Sequence, residues 1–280
     1  MKTPKRIQPL VAEGLVDEVI RQLMSGKEAT VYIVRCGEEI RCAKVYKEAN
    51  QRSFRKNAFY QEGRKTKNSR QARAMEKGSR YGRQMQEEAW QSAEVDALYR
   101  LAAAGVRVPL PYICHEGVLL MDLVTDAEGD PAPRLNDIEL SAAQAREFHA
   151  GLLNQVVRML CAGIIHGDLS EYNILVGCHG PVIIDLPQAV DAAGNSNAGT
   201  MLERDVANLA SYFSRFAPEL DGSEYGKEIW QLYQAGRLSP ESELTGRIEI
   251  EQRSADVDAV LEEVKLALQE EARRQLYQAG

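Results

Sequence analysis

Apolar residues fall into stretches of different period along this chain, and the changes of period outline its elements. Leu15, Val16, Val19, Ile20 and Leu23 recur at helical spacing, which predicts a helix over 14–24. Ser25-Gly26-Lys27-Glu28 then reads as a turn into a strand through Val34, Cys36-Gly37-Glu38-Glu39 as a hairpin turn, and Ile40 to Tyr46 as a returning strand with Lys44 near its middle. From Lys47 to Gln84 the pattern is polar and poorly periodic, with Gly63, Asn68, Ser69 and Gly78 as breakers, so a loop or partly ordered insert is expected.

Regular structure resumes with Ala93, Ala97, Leu98 and Leu101 on one face of a helix over 89–104 that contains Glu94 and ends before Gly105. Tyr112 to Asp122 reads as two short strands about a turn, and Asp126 to Arg134, with Gly129, Pro131 and Pro133, as a linker. Beyond it the pattern turns helical. A long amphipathic helix over 142–162 is followed by two apolar runs, 173–176 and 182–184, and by helices over 203–216, 224–234 and 257–277. No internal repeat interrupts this order, which is sheet first and helices second, an α+β arrangement in two lobes. The boundaries expected are an N-terminal extension over 1–14, a sheet lobe over 15–125 carrying the insert of about 47–84, and a helical lobe over 126–280 with a C-terminal helical extension over about 240–280. In that extension Val257, Val260, Leu261, Val264 and Leu268 share one side, which fits core packing or, less often, a dimer seam.

At 280 residues and 44% hydrophobic content, the chain can bury one large core or two unequal lobes around a cleft. Its net charge of -7 argues against a surface built throughout to hold nucleic acid. Between Arg41 and Arg83, however, 14 Lys and Arg stand against 3 acidic residues, a local +11 that leaves -18 for the rest. Such a block is usually a solvated stretch. The sharper reading is a contact for RNA, ribosomes or an acidic protein. Five scattered cysteines without a Cys-x-x-Cys pair suggest neither a disulfide framework nor a zinc site, and reduced, mostly buried thiols are expected. No run reaches signal-peptide or membrane-spanning length, so no membrane contact and a cytoplasmic location are expected.

The densest chemistry lies in His166-Gly167-Asp168-Leu169-Ser170-Glu171-Tyr172-Asn173, flanked by apolar runs and followed by Val182-Ile183-Ile184-Asp185. Phosphoryl transfer needs little covalent help, because its loose transition state is served mainly by positioning and charge neutralisation. Asp168 and Asn173, at Asp-x4-Asn spacing, match a catalytic aspartate facing the acceptor hydroxyl and an asparagine on magnesium, with Asp185 bridging metal to phosphates. Carboxylate and carboxamide oxygens are the hard ligands Mg2+ prefers, one or two per ion, with Mn2+ as an alternative. Lys44 has the character of a strand lysine that pairs with phosphates and is held by a helix glutamate, here Glu94. Taken singly, a strand lysine or a helix glutamate is more often a surface residue. The Ser25-Gly26-Lys27-Glu28-Ala29-Thr30 turn is placed to cover phosphates but is not a Walker A loop, since position 21 is Arg and Glu28 follows Lys27. His166 is expected to be structural, and His115, His149 and His179 receive no chemistry.

These residues resemble the RIO family of atypical serine/threonine protein kinases, from about Leu15 to Phe216. Ser25-Gly26-Lys27-Glu28-Ala29-x-Val31-Tyr32 looks like its phosphate loop, His166 to Asn173 like its catalytic loop, and Ile184-Asp185-Leu186-Pro187-Gln188-Ala189 like its metal-binding segment. Leu202-Glu203-Arg204-Asp205-Val206-x-Asn208, Ser79-Arg80-Tyr81-Gly82-Arg83, Val108-Pro109-x-Pro111-Tyr112 and Leu119-Leu120-Met121-Asp122 extend the likeness, which is closest to the first RIO subgroup and its bacterial members. No winged-helix segment precedes the sheet lobe, which speaks against the second subgroup.

The resemblance implies a trimmed two-lobed protein-kinase-like fold without an activation loop. It implies ATP and Mg2+ as cofactors, Lys44, Asp168 and Asp185 as catalytic residues, and Asn173 and Asp185 as metal ligands. Nucleotide contacts would come from Ser25, Gly26, Lys27, Glu28, Val31, Lys44 and Glu94, and from a hinge over Met121, Asp122 and Val124, where Asp122 replaces the commoner Glu. The expected activity is transfer of the ATP γ-phosphate to protein Ser/Thr, including the chain itself. Two alternatives stay open: a small-molecule kinase of the aminoglycoside or choline type, and an ATP-operated ribosome- or RNA-binding module in which hydrolysis, or an aspartyl-phosphate at Asp185, times release.

Overall fold

A computed structural model describes residues 3–26, 28–47 and 93–247. Lys27, most of the basic insert, the start of the helix expected over 89–104, and the helix expected over 257–277 lie outside the described residues.

Helix α1 (Gln8–Ala12) leads into a five-stranded antiparallel sheet made of β1 (Glu18–Ser25), β2 (Ala29–Cys36), β3 (Glu39–Tyr46), β4 (Pro111–His115) and β5 (Val118–Asp122), in the order β1-β2-β3-β5-β4. Side chains of a strand alternate between its two faces. In the central strand β3, Ala43 and Val45 join Val34, Val118 and Leu120 in a cluster closed by Ile7 and Leu10 from the N-terminal segment. Tyr46, with Leu119 of the neighbouring strand, faces the other way, towards Leu98 and Leu101 of helix α2, described over 93–103. Lys44 lies on this second face, at the centre of the sheet between Val31 and Leu119. The two-residue turn at Gly37-Glu38 closes the β2–β3 hairpin as the sequence predicts, with Gly37 at φ 65, where a side chain would be strained.

The expected helix over 14–24 is instead β1. Its register against β2 slips between Val19 and Arg21 and again between Gln22 and Met24. Two such irregularities reset the alternation of a strand, so its apolar residues imitate helical spacing. Of the five residues that suggested a helix, Val16 and Val19 are buried, whereas Ile20 and Leu23 are exposed at this sheet edge.

The second lobe is built on α3 (Ala142–Cys161), started by a capping box between Ser141 and Gln144 and buried along Leu152, Leu153, Val156, Val157 and Leu160. Two small hairpin ladders lie beside it. One pairs β6 (Ile164–Ile165) with β9 (Val190–Asp191), the other β7 (Ile174–Gly177) with β8 (Gly180–Ile183). Helix α4 (Ala198–Phe213) begins five residues before the expected start at Glu203, because Ala198, Met201 and Leu202 pack into the core despite the Asn-rich, Gly-containing run that hides them in the sequence. Helix α5 (Tyr225–Gln234) crosses α4 closely at Gly226, where a Cβ would stand 2.9 Å from Glu203 Cα.

The cysteines depart from expectation. Cys42 is buried, but Cys114 on the edge strand β4, Cys161 at the end of α3 and Cys178 in the β7–β8 turn are exposed, and all five are free thiols. No helix among the described residues is long and apolar enough to cross a membrane.

Candidate active site

Lys44 Nζ lies 2.6 Å from Glu94 Oε1 and 2.8 Å from Asp185 Oδ1, so a strand, a helix and the second lobe meet at one ammonium. The Tyr46 hydroxyl donates to the other Glu94 oxygen at 2.6 Å. Lys44 and Glu94 side chains are 11% and 3% exposed, and Asp185 is 43% exposed, which leaves the last open to a ligand. Burial alone would push the lysine towards its neutral form, but Glu94 and Asp185 more than offset it, and its pKa stands well above the ordinary value. Lys44 in turn holds the Asp185 carboxyl below the usual aspartate range. Asp185 also adopts φ 67, a backbone conformation that side chains other than glycine rarely take and that costs on the order of 1 kcal/mol or more where it occurs.

The loop from His166 to Asn173 leaves β6 and returns through a short turn into β7. Within it Asn173 Nδ2 donates to the Asp168 carbonyl at 2.8 Å, and the Asn173 carbonyl accepts from Ile184 N at 3.0 Å, which sets the Asn173 backbone beside the residue that precedes Asp185. His166 is buried and supports the loop as expected. Its Nδ1 accepts from Asp168 N at 3.3 Å, so Nε2 carries the proton and donates to Ile184 O at 3.0 Å. Asp168 keeps solvent access, yet lost hydration raises its carboxyl above the ordinary range, with His166 and Arg204 drawing it back. A raised carboxylate is a better proton acceptor.

Helix α4 carries the residues that chain-order reading did not place. Both Asp205 oxygens accept backbone N–H bonds from the loop, from Gly167 at 2.7 Å and Leu169 at 3.1 Å. Arg204 donates to Gly167 O, and Asn208 Nδ2 to Leu169 O at 3.1 Å. The signal available was the charged pair Arg204-Asp205, with Asn208 one turn on, inside an amphipathic helix. Gln188 was likewise given no role, and its Nε2 donates to Asp168 Oδ2 at 3.1 Å.

The residues expected to contact nucleotide are more dispersed. In the turn after β1, Ser25 Oγ pairs with Thr30 Oγ1 at 3.2 Å, Gly26 N donates to Ala29 O at 2.9 Å, and Lys47 reaches Gly26 O at 2.6 Å while its own N–H donates to Glu28 O at 2.8 Å. Val31 sits opposite Lys44 in the β2–β3 ladder. At the hinge Met121 packs against the larger core and Val124 O accepts from Ala132 N at 2.9 Å. The Asp122 carboxylate is engaged by the Tyr112 hydroxyl and by Leu110 N at 3.1 Å, both on the β4 side. Lys44, Glu94, Asp185, Asn173 and Asp168 are thus brought together, while Ser25, Gly26 and Glu28 form a separate turn at the sheet edge and Lys27 lies outside the described residues.

The donor set fits magnesium. No group of three or more His, Cys, Asp or Glu side chains among the described residues forms a cage. An open carboxylate kept ionised by a lysine, with an asparagine on the segment that its neighbour Ile184 bonds, supplies the one or two oxygen ligands this ion uses when phosphates and water complete its shell.

A family model described as the RIO domain matches residues 30–225. The RIO-type serine/threonine-protein kinase Rio1 of Haloferax volcanii is 34% identical over 217 residues, which cover 77% of this chain and 70% of that protein. The human serine/threonine-protein kinase RIO1 is 31% identical over 74% of this chain, and the match spans 35% of the longer human protein. A crystal structure of the Rio2 kinase–ADP/Mg2+–phosphoaspartate complex from Chaetomium thermophilum shares the fold, with a TM-score of 0.57 and 22% identity over 81% of this chain and 64% of that one. Together with the cleft between an antiparallel sheet and a helical lobe, these matches establish that the chain belongs to the RIO family of atypical serine/threonine protein kinases.

Proposed function

We propose that this chain transfers the γ-phosphate of ATP to serine or threonine hydroxyls of protein, its own included, with Mg2+. The observation that carries the reading is the convergence on one cleft of a buried, doubly paired Lys44, an ionised Asp185 and an Asp168 held by a braced loop. Lys44 would meet the phosphates of the nucleotide. Asn173 and Asp185 would hold Mg2+, whose positive charge offsets that of the phosphates. Glu94 and Tyr46 keep the lysine aimed at the cleft. Asp168 takes the proton that the acceptor hydroxyl loses as its oxygen bonds phosphorus and ADP departs. Family membership sets the small-molecule alternative aside.

With labelled ATP and Mg2+ the wild-type chain is expected to label protein. Asp168→Ala should lower that rate about 100-fold or more, the contribution of a positioned acid or base, while ADP still binds. A wild-type protein that labels nothing would overturn the reading.

A second property rests on charge. The +11 between Arg41 and Arg83 supports a contact with RNA or a ribosomal particle. Binding to RNA should weaken steeply as salt rises from 50 to 200 mM, because phosphate contacts release counterions, and Arg/Lys→Ala changes over 52–83 should flatten that dependence. Salt-independent binding would remove the insert from consideration.

A further inference from the structure

Gln188 stands outside every role assigned so far, yet it makes a direct contact with the Asp168 carboxylate. Its placement is fixed from both sides. Leu186 is 1% exposed, Ala189 N donates back to Leu186 O at 3.0 Å, and Val190 pairs with Ile165 in the β6–β9 ladder. That ladder anchors both segments. Asp168 follows it by three residues on one strand, and Gln188 precedes it by two on the other, so the turn carrying Gln188 faces the loop carrying Asp168. An ionised carboxylate only accepts hydrogen bonds, so the Gln188 amide must present its NH2 group to Oδ2, as the 3.1 Å contact has it.

We propose that Gln188 is a positioning residue for phosphoryl transfer, fixing the rotamer of Asp168 by donating to Oδ2 and leaving Oδ1 to receive the proton of the acceptor hydroxyl. This rests on the kinase reading above. The chemistry requires a donor at this position, because an unheld carboxylate can turn about its side-chain bonds and offer neither oxygen in a fixed direction. An amide suits the task, since it neither titrates nor carries charge and so leaves Asp168 ionised. The loop bonds already described fix the backbone around Asp168 through Asp205, Asn208 and Asn173. Gln188 acts one step further out, on the carboxylate itself.

The test compares Gln188→Ala with Gln188→Glu in the full chain, by steady-state transfer of labelled phosphate and by ADP binding. Glu keeps the length and volume of Gln but presents a second carboxylate to Asp168. A donor role therefore predicts that Gln188→Glu loses at least as much kcat as Gln188→Ala, about tenfold or more, with KM for ATP and ADP affinity within about twofold of wild type. A space-filling role predicts the reverse order. Wild-type kcat in Gln188→Glu, or a raised KM for ATP with unchanged kcat in both variants, would overturn the proposal and leave the kinase reading intact. No transfer by the wild-type chain would overturn both.

Discussion

Two sets of ionisable groups with buried members serve this molecule, and they are neutralised in different ways. In the cleft, Lys44, Glu94 and Asp185 answer one another directly, ammonium to carboxylate at 2.6 and 2.8 Å. In the helical lobe, Asp205 and His149 are deeply buried, at 1% and 2% exposure, and neither has a counter-ion at hydrogen-bond distance among the described residues. Asp205 is satisfied by two backbone N–H groups, its nearest guanidinium standing 3.8 Å away. His149 lies edge-on to Phe213 and Tyr225, and its Nε2 has no hydrogen-bond partner among the described residues. Mutual pairing drives the cleft groups towards their charged forms, Lys44 up and Asp185 down. Desolvation drives the other two towards their neutral forms, Asp205 up to about 6 although His166 and Arg204 partly offset it, and His149 down to about 4. Asp205 and His149 therefore titrate between the ordinary carboxylate and histidine values, with opposite effects on stability, while Lys44 and Asp185 are held in their charged forms.

Removing the lysine breaks the paired side outright. Lys44→Met retains most of the volume but leaves Glu94 buried with only the Tyr46 hydroxyl, and an uncompensated buried charge costs about 3–5 kcal/mol. Urea unfolding at neutral pH should show that loss, and labelled transfer should fall about 100-fold or more with the phosphate-facing charge gone. Adding Glu94→Leu to Lys44→Met should restore much of the stability and none of the activity. An unchanged unfolding midpoint in Lys44→Met would mean that the pair contributes nothing to the fold.

The paired side was also the legible one. Lys44, Glu94, Asp168, Asn173 and Asp185 could be singled out from the chain because kinase-like motif spacing and the family resemblance mark them, while periodicity gives the strand, helix or loop that carries each. The order of sheet and helices was legible for the same reason. Three features were not. The register slips of β1 convert strand alternation into apparent helical spacing, and no local signal distinguishes the two. The start of α4 is hidden by Asn195, Asn197 and Gly199, residues of low helix propensity, although burial of Met201 and Leu202 overrides it. Asp205, Gln188 and His149 matter through partners 20 to 76 residues away in the chain. Such long-range hydrogen bonds and ring contacts leave no periodic trace, and for Asp205 and Gln188 the hint was their place in segments that resemble the family, without a role attached.

The unpaired side can be read through pH. A histidine with a depressed folded pKa contributes stability that is present above the unfolded value and lost as pH falls through the folded one. For His149 those values are 6.5 and about 4. Between them the unfolded chain binds a proton that the folded chain refuses, which lowers stability by up to about 3 kcal/mol. His149→Leu removes this term, so its urea midpoint should fall less than the wild-type midpoint between pH 6.5 and 4. Parallel curves for the two proteins would show that His149 takes up its proton without unfolding.

Asp205 should bend the curve the other way and by slightly less. Its folded pKa is raised from the ordinary 3.8 to about 6, so the stability tied to its neutral form is complete below 3.8 and lost as pH rises through 6. Over that interval the wild-type chain should gain, on acidification, up to about 3 kcal/mol relative to a variant that cannot titrate there. Asp205→Asn is that variant. Its carbonyl oxygen can accept from Gly167 N or from Leu169 N but not from both, and one buried N–H left without a partner costs about 1–3 kcal/mol at neutral pH. Two readouts separate these terms. At pH 7 the variant should be less stable than wild type and slower in transfer, because the backbone on either side of Asp168 has lost a fixed point. Towards pH 4 its stability deficit should widen, since the wild-type carboxyl becomes neutral and its desolvation penalty disappears. A deficit constant across that range would place Asp205 among the groups that stay ionised in the fold, and the contrast between the cleft and the helical lobe would then rest on His149 alone.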